Sequence, residues 1–338
     1  FPISFNPLKG VHPTYHHLVA SGLIGTMKKI WADSWGPRME HILRFSLLTL
    51  LHHPDATLLD IQPLLTDDSF RGHVLSYVKE QSILLFWAGE FDKYNKALKA
   101  EVIAPILNKV GLFSASLPLR LTVGQKTRSF RMQEVMDGRK ILIANLSKGE
   151  LGEEVSGLLG CILITSIQMA ALYRAKVPEH QRVPFYLYID EMHSFVTQSF
   201  ANILAEARKY GLSLFLTHQF IEQLDERIRK AIFGNAGTII SFRVGAADAE
   251  YLYKEFKPVF GEEDLVNLSK YSYYIKLMID GATSRPFSAN SLPLPGSPDN
   301  RSAEIIAQSR GRYSKPRIEV EARLSHSSLN QILNKTLF

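Results

Sequence analysis

The chain has 338 residues, 46% apolar and 21% charged, which excludes a polar disordered chain and allows two or three domains with real cores. Its formal net charge of +6 permits a polyanionic partner without requiring one. The one cysteine, Cys161, lies in an apolar run; this excludes a disulfide framework and fits a reducing cytoplasm.

Residues 1–13, "FPISFNPLKGVHP", have no initiator methionine, so a fragment of a longer protein is expected. No signal peptide is visible. From 14 to 116 apolar residues recur every three or four positions, which predicts an all-helical region. Asp55 and Asp67 are expected helix caps, and an interruption is expected near Pro105. From 117 to 293 the pattern alternates. Strands are expected at 140–146, 185–190, 213–219, 238–244 and 273–279, with amphipathic helices between them. That order predicts an α/β core with a mainly parallel sheet covered by helices on both faces. Gly211 and Gly234 fall where helix C-caps are expected. The apolar run 157–173 is short for a membrane span and carries Thr165, Ser166 and Gln168, so a buried helix is expected. Pro293, Pro295, Gly296 and Pro298 mark a linker, and 294–338 reads as linker plus polar, Arg-rich tail.

The stretch "FYLYIDEMHSF", 185–195, runs an apolar strand into two carboxylates, Asp190 and Glu191. Ligands of open α/β sheets bind beyond the carboxyl ends of the strands. An apolar strand followed by Asp-Glu is the Walker B arrangement of nucleotide hydrolases. There the aspartate holds Mg²⁺ through water and the glutamate orients or deprotonates the attacking water. Gln219, at the end of the next expected strand, is placed to sense a γ-phosphate. The plainer reading is a strand whose terminal carboxylates enter solvent or cap the next helix. A phosphate-cradling G-x-x-x-x-G-K-S/T string is absent; "GQKT" at 124–127 comes nearest, and Arg120 and Gln125 stand where its glycines belong.

"KILIANLSKGELGEEVSGLLG", "FYLYIDEMHSF", "SFANILAEARKYGLSLFLTHQFIEQL" and "IRKAIFGNAGTIISFRVGAADAEYL", in that order, resemble the conjugative coupling-protein branch of the HerA–FtsK ATPases, the TraG/TraD-like DNA pumps of type IV secretion. The resemblance runs from "FNPLKG" to "YIKLMIDGATSRPFSA", and it implies that 1–13 end an upstream motor-lobe segment and that 14–116 are an all-helical insert. It implies a RecA-like motor lobe that binds ATP and Mg²⁺ and works as a hexameric ring on DNA. Type IV secretion or relaxosome proteins are the implied partners. The implied location is the cytoplasm, at the inner face of the cell membrane through a region absent here. It also implies roles: Asp190 for the Mg²⁺ aspartate, Glu191 for the catalytic glutamate, Gln219 for the sensor, and Arg208 for an arginine finger reaching a neighbouring subunit. Lys209 and Arg243 compete with Arg208 for that role. The phosphate-loop lysine and its Ser/Thr have no counterpart.

Other residues carry plainer expectations. His16–His17 and His52–His53 are adjacent pairs, which point about 100° apart on a helix and chelate poorly. Glu191 and His193 lack the spacing of a zinc protease, and His218 is expected to pack. Lys148 is a DNA-contact candidate, as are Arg310, Arg312, Lys315, Arg317 and Arg323, each weighed against a solvated surface. Trp31, Trp35 and Trp87 are expected in the helical core. Two functions stand: an ATP-driven DNA translocase present without its P-loop, or a degenerate, non-hydrolytic domain that binds DNA or secretion partners. A third, an unrelated metal hydrolase, lacks further ligands.

Overall fold

The computed structural model describes residues 1–296 and 300–325; Pro298 of the expected linker and 326–338 of the expected tail lie outside the described residues. The chain forms two compact units, Phe1–Phe185 together with the chain from Arg301, and Tyr186–Asn300.

The first unit is helical. His16–Ile30, Pro37–His52, Lys96–Ala115 and Glu153–Tyr173 are its long helices. Glu153–Tyr173 lies within a segment long and apolar enough to cross a membrane, yet most of that segment is buried inside the fold. It packs along His16–Ile30, where a Cβ added at Gly22 would stand 2.5 Å from Thr165 Cγ2. The absent side chain lets the two backbones approach. Cys161 is buried on this helix, and burial pushes its thiol pKa up to about 12. Trp87 is fully enclosed, and its indole N–H donates to the Thr49 hydroxyl at 2.8 Å; Trp31 and Trp35 pack against the same core.

Several local expectations are met and others corrected. Asp67 caps its helix, accepting from the N–H groups of Ser69 and Phe70 at 3.1 and 3.2 Å. Asp55 does not cap; it pairs with Lys9 at 3.0 Å, and Thr57 with Asp60 forms a capping box instead. Pro105 does not interrupt its helix, which runs from Lys96 to Ala115. Both Pro105 and Glu101, whose carbonyl loses its i+4 donor, face solvent, where water can take that bond. Residues 140–146 form no strand: Ile141 and Ile143 are 91% and 79% exposed, and no described strand pairs with them. β-forming composition makes no ladder without a neighbour.

The second unit carries the strands. β1 (Phe185–Ile189) and β2 (Leu212–Leu216) form a pair. Just past β2, the Thr217 N–H donates to the Ile189 carbonyl at 3.0 Å, and the Thr217 carbonyl accepts from the Met192 N–H at 2.9 Å. Thr217 thus bridges positions 189 and 192, on either side of Asp190 and Glu191, with its N–H reaching back and its carbonyl forward, as between parallel strands. The crossover runs through the helix Gln198–Leu204 and a 3-10 turn, Ala207–Tyr210, closed by Gly211 at φ 66°. β3 (Ile239–Ser241), β4 (Ser272–Lys276) and β7 (Phe287–Asn290) form a second sheet in the order β3-β4-β7, with both pairs antiparallel. β5 (Met278–Ile279) and β6 (Ala282–Thr283) make a hairpin around Asp280 and Gly281, at φ 50° and 83°. Gly234 is not a C-cap: it lies inside Glu226–Asn235, which Ala236 terminates. Helix Ala246–Phe256 buries Ala249, Leu252 and Phe256 against Ile221 and Leu265.

Candidate functional site

β1 delivers Asp190 and Glu191 to its carboxyl end. The chain turns there because Glu191 adopts the left-handed conformation, φ 49° and ψ 48°. A glutamate in that region carries backbone strain. The turn breaks the strand's two-residue alternation, so that both carboxylates meet side chains from β2's end. Asp190 Oδ1 accepts from the Thr217 hydroxyl at 2.5 Å and from the Glu191 N–H at 3.0 Å. Glu191 Oε1 accepts from the Gln219 amide. Thr217 and Gln219 are two residues apart, so they project from one side of their segment. His193 Nδ1 lies 3.3 Å from Glu191 Oε2.

His218, between Thr217 and Gln219, is half-buried. Burial pulls its pKa below the ordinary imidazole value, against the opposing attraction of Asp248 and Glu191. Asp248 is buried and accepts from the Ile221 N–H at 3.0 Å, tying the segment after Gln219 to helix Ala246–Phe256.

The donor set fits Mg²⁺ carried in with phosphates. Asp190 is exposed, and among the described residues none donates to its Oδ2. Mg²⁺ keeps several waters and takes one or two carboxylates plus phosphate oxygens. Among the described residues no group of three or more His, Cys, Asp or Glu could hold a metal ion by protein ligands alone. His16 instead packs its ring against His52 at 4.8 Å.

The other singled-out cations sit elsewhere. Arg208 is exposed on the turn that precedes β2, whereas Glu191 and Gln219 lie past its end. Five residues at ~3.3 Å each separate these levels by roughly 17 Å. Among the described residues Arg208 makes no ion pair; Lys209 pairs with Glu206 at 3.8 Å, and Arg243 is exposed after β3. Lys148 belongs to the first unit, paired with Glu153 at 3.3 Å. In the tail, Arg317 pairs with Glu321, while Lys315 and Arg323 share Glu319. Arg310 lies over the Phe1 ring.

Sequence reasoning missed Thr217 and Asp248. The two-residue spacing to Gln219 was a readable signal for Thr217. Asp248 meets Ile221 across 27 residues and left none.

Residues 184–284 match the protein family described as the TraM recognition site of TraD and TraG. Over these residues the chain is TraG/TraD-like. This TraG/TraD-like segment contains β1 through β6 and with them the whole Asp190–Gln219 site. Among solved structures, unbound TrwBdeltaN70, a bacterial conjugative coupling protein, superposes with a TM-score of 0.56 at 13% identity, over 86% of this chain and 73% of that one. Plasmid coupling protein TrwB with the ATP analogue ADPNP gives 0.56 at 14% identity, with the same coverage. TrwB with ADP and Mg²⁺ gives 0.54 at 14% identity, again over 86% and 73%. The fold is therefore the RecA-like α/β fold that these structures have. No curated protein matches the sequence.

Proposed function

We propose that this chain is the motor part of an ATP-driven DNA translocase of the coupling type, contributing the carboxylate side of its nucleotide site. One observation carries the reading: Asp190 and Glu191 end a parallel strand and are each held by a side chain, Thr217 and Gln219, from the end of the neighbouring strand. The TrwB structures with ADPNP and with ADP and Mg²⁺ support ATP and Mg²⁺ as cofactors. Bound Mg²⁺–ATP supplies the electrophilic phosphoryl group and the charge that the carboxylates face. In this reading Asp190 holds the metal through water on the oxygen that Thr217 leaves uncovered. Glu191 takes the proton of the attacking water, and Gln219 fixes its carboxylate. Arg208, at the other end of β2, serves the site of a neighbouring subunit in a hexameric ring around DNA. The family description supports a TraM-type relaxosome protein as a partner of 184–284. The location is the cytoplasm, at the inner face of the membrane through residues outside this sequence.

No G-x-x-x-x-G-K-S/T string is present, so the proposal assigns the phosphate cradle to residues outside this sequence. The same absence favours the second reading, a non-hydrolytic domain that binds DNA or secretion partners. A titration with Mg²⁺ and a fluorescent ATP analogue separates them, run on this chain and on one extended upstream. Binding only by the extended chain supports the motor; binding by neither supports the second reading. In the full-length protein Glu191→Gln is expected to keep ATP binding and lose turnover, and retained turnover would sink the catalytic assignment. Arg208→Ala is expected to lose ~10³–10⁵ in rate, as removal of an arginine finger does. Mixing it with Glu191→Gln subunits should restore part of the activity, because each mixed interface can carry one intact set. No recovery in verified mixed rings counts against a finger acting between subunits.

A further inference from the structure

The first unit contains a groove of about 1030 Å³ that the nucleotide reading leaves unused. It lies between helix Ile61–Thr66, the corner where Lys96–Ala115 meets Leu117–Val123, and the helix at 317–325. Small-molecule sites commonly span ~300–1,000 Å³. Its wall includes Gly124–Thr127, the "GQKT" string that fails as a phosphate loop. In the fold this string closes a helix: the Gly124 N–H donates to the Arg120 carbonyl at 3.2 Å, and the Gln125 amide to the Leu121 carbonyl at 2.6 Å.

The charges in the wall do not cancel. Asp60 is engaged by the Thr57 N–H and hydroxyl, at 2.7 and 3.0 Å. Glu321 is taken by Arg317 at 2.9 Å, and Arg323 by Glu319 at 2.7 Å. Lys126 and Arg120 remain. Arg120 donates to a neutral carbonyl, that of Ser114, at 3.1 Å. Lys126 is exposed and, among the described residues, makes no ion pair. Two cations without a carboxylate in contact, in a concave wall that also presents Gln62, Thr66 and Ser114, suit a compact ligand with two negative charges.

We propose that this groove binds a small dianionic molecule, its phosphate or carboxylate oxygens held by Lys126 and Arg120. The site rests on the first unit alone, so it stands or falls independently of the nucleotide reading. The test is calorimetric titration of the whole chain with pyrophosphate and, separately, with malonate, which distinguishes a phosphoryl from a carboxylate ligand. Saturable binding of at least one probe is expected. Lys126→Glu should weaken it about ten-fold or more, since it replaces a charge-assisted bond with repulsion. Gln62→Trp should block it by filling the groove. Both positions are exposed, so folding is expected to survive, with a thermal melt as the control. No saturable binding of either probe overturns the site, and so does binding that both variants leave unchanged.

Discussion

Thr217 contributes to the candidate site with three groups at once. Its N–H and carbonyl bridge the backbone on either side of Asp190–Glu191, and its hydroxyl fixes Asp190 Oδ1. Valine keeps the shape and both backbone bonds and removes the hydroxyl alone. A hydrogen bond to a charged group contributes ~1.5–3 kcal/mol where solvent is excluded, and exposed Asp190 belongs below that range. In the full-length protein Thr217→Val is therefore expected to raise the Mg²⁺ concentration for half-maximal turnover by about five- to ten-fold, with ATP affinity in metal-free buffer unchanged. Thr217→Ser, which restores the hydroxyl, should restore the metal requirement. An unchanged Mg²⁺ dependence in the valine variant would show that this bond does not orient Asp190.

Among the elements, the contact between helices His16–Ile30 and Glu153–Tyr173 depends on one missing atom. A Cβ at Gly22 would stand 2.5 Å from Thr165 Cγ2, and Thr165 is itself buried. Gly→Ala in a helix gains ~1 kcal/mol in propensity, whereas overpacking a core costs ~1–3 kcal/mol. Overpacking wins, so Gly22→Ala is expected to lower stability by about 1 kcal/mol in urea denaturation. Thr165→Ser deletes the clashing methyl; the double variant should then equal or exceed the stability of the unsubstituted chain. A single variant already more stable than the parent would refute the tight contact. Helices like these were legible because their apolar spacing is local. The strands were legible only where a neighbour exists: 185–190 pairs and 140–146 does not, although both are apolar. The run 273–279 divides into β4 and β5, and the Asp280–Gly281 pair after it was a readable hairpin signal that the apolar run obscured. The carboxylate end of the site could be read from "YIDE". The left-handed turn at Glu191 and the reach of Asp248 to Ile221 could not, because tertiary contacts impose them.

At the scale of the whole molecule, stability is expected to fall on mild acidification, and the groups responsible can be named. Burial lowers the pKa of His16, His53 and His218 from the ordinary value of 6.5. His16 faces His52 and Glu80; His53 faces His73, Asp55, Asp60 and Lys126; His218 faces Asp248, His193 and Glu191. A histidine with a depressed folded pKa binds fewer protons folded than unfolded. Its contribution is complete above pH 6.5 and is lost as pH falls towards the folded value. For His16, which is 4% exposed, the loss is at most ~1.4 kcal/mol per pH unit. Asp55, Glu40, Asp68 and Glu90, whose pKa values hydrogen bonds lower, add losses of the same sign below the carboxylate range. Half-buried Asp60 opposes them, because its raised pKa means that acid relieves a desolvated charge. Between pH 7 and 5.5 the three histidines act together against this one carboxyl. Thermal melts across that interval should show a falling melting temperature, and His16→Asn should flatten the slope. A melting temperature that stays level from pH 7 to 5.5 would mean that these imidazoles take up protons in the folded state without penalty.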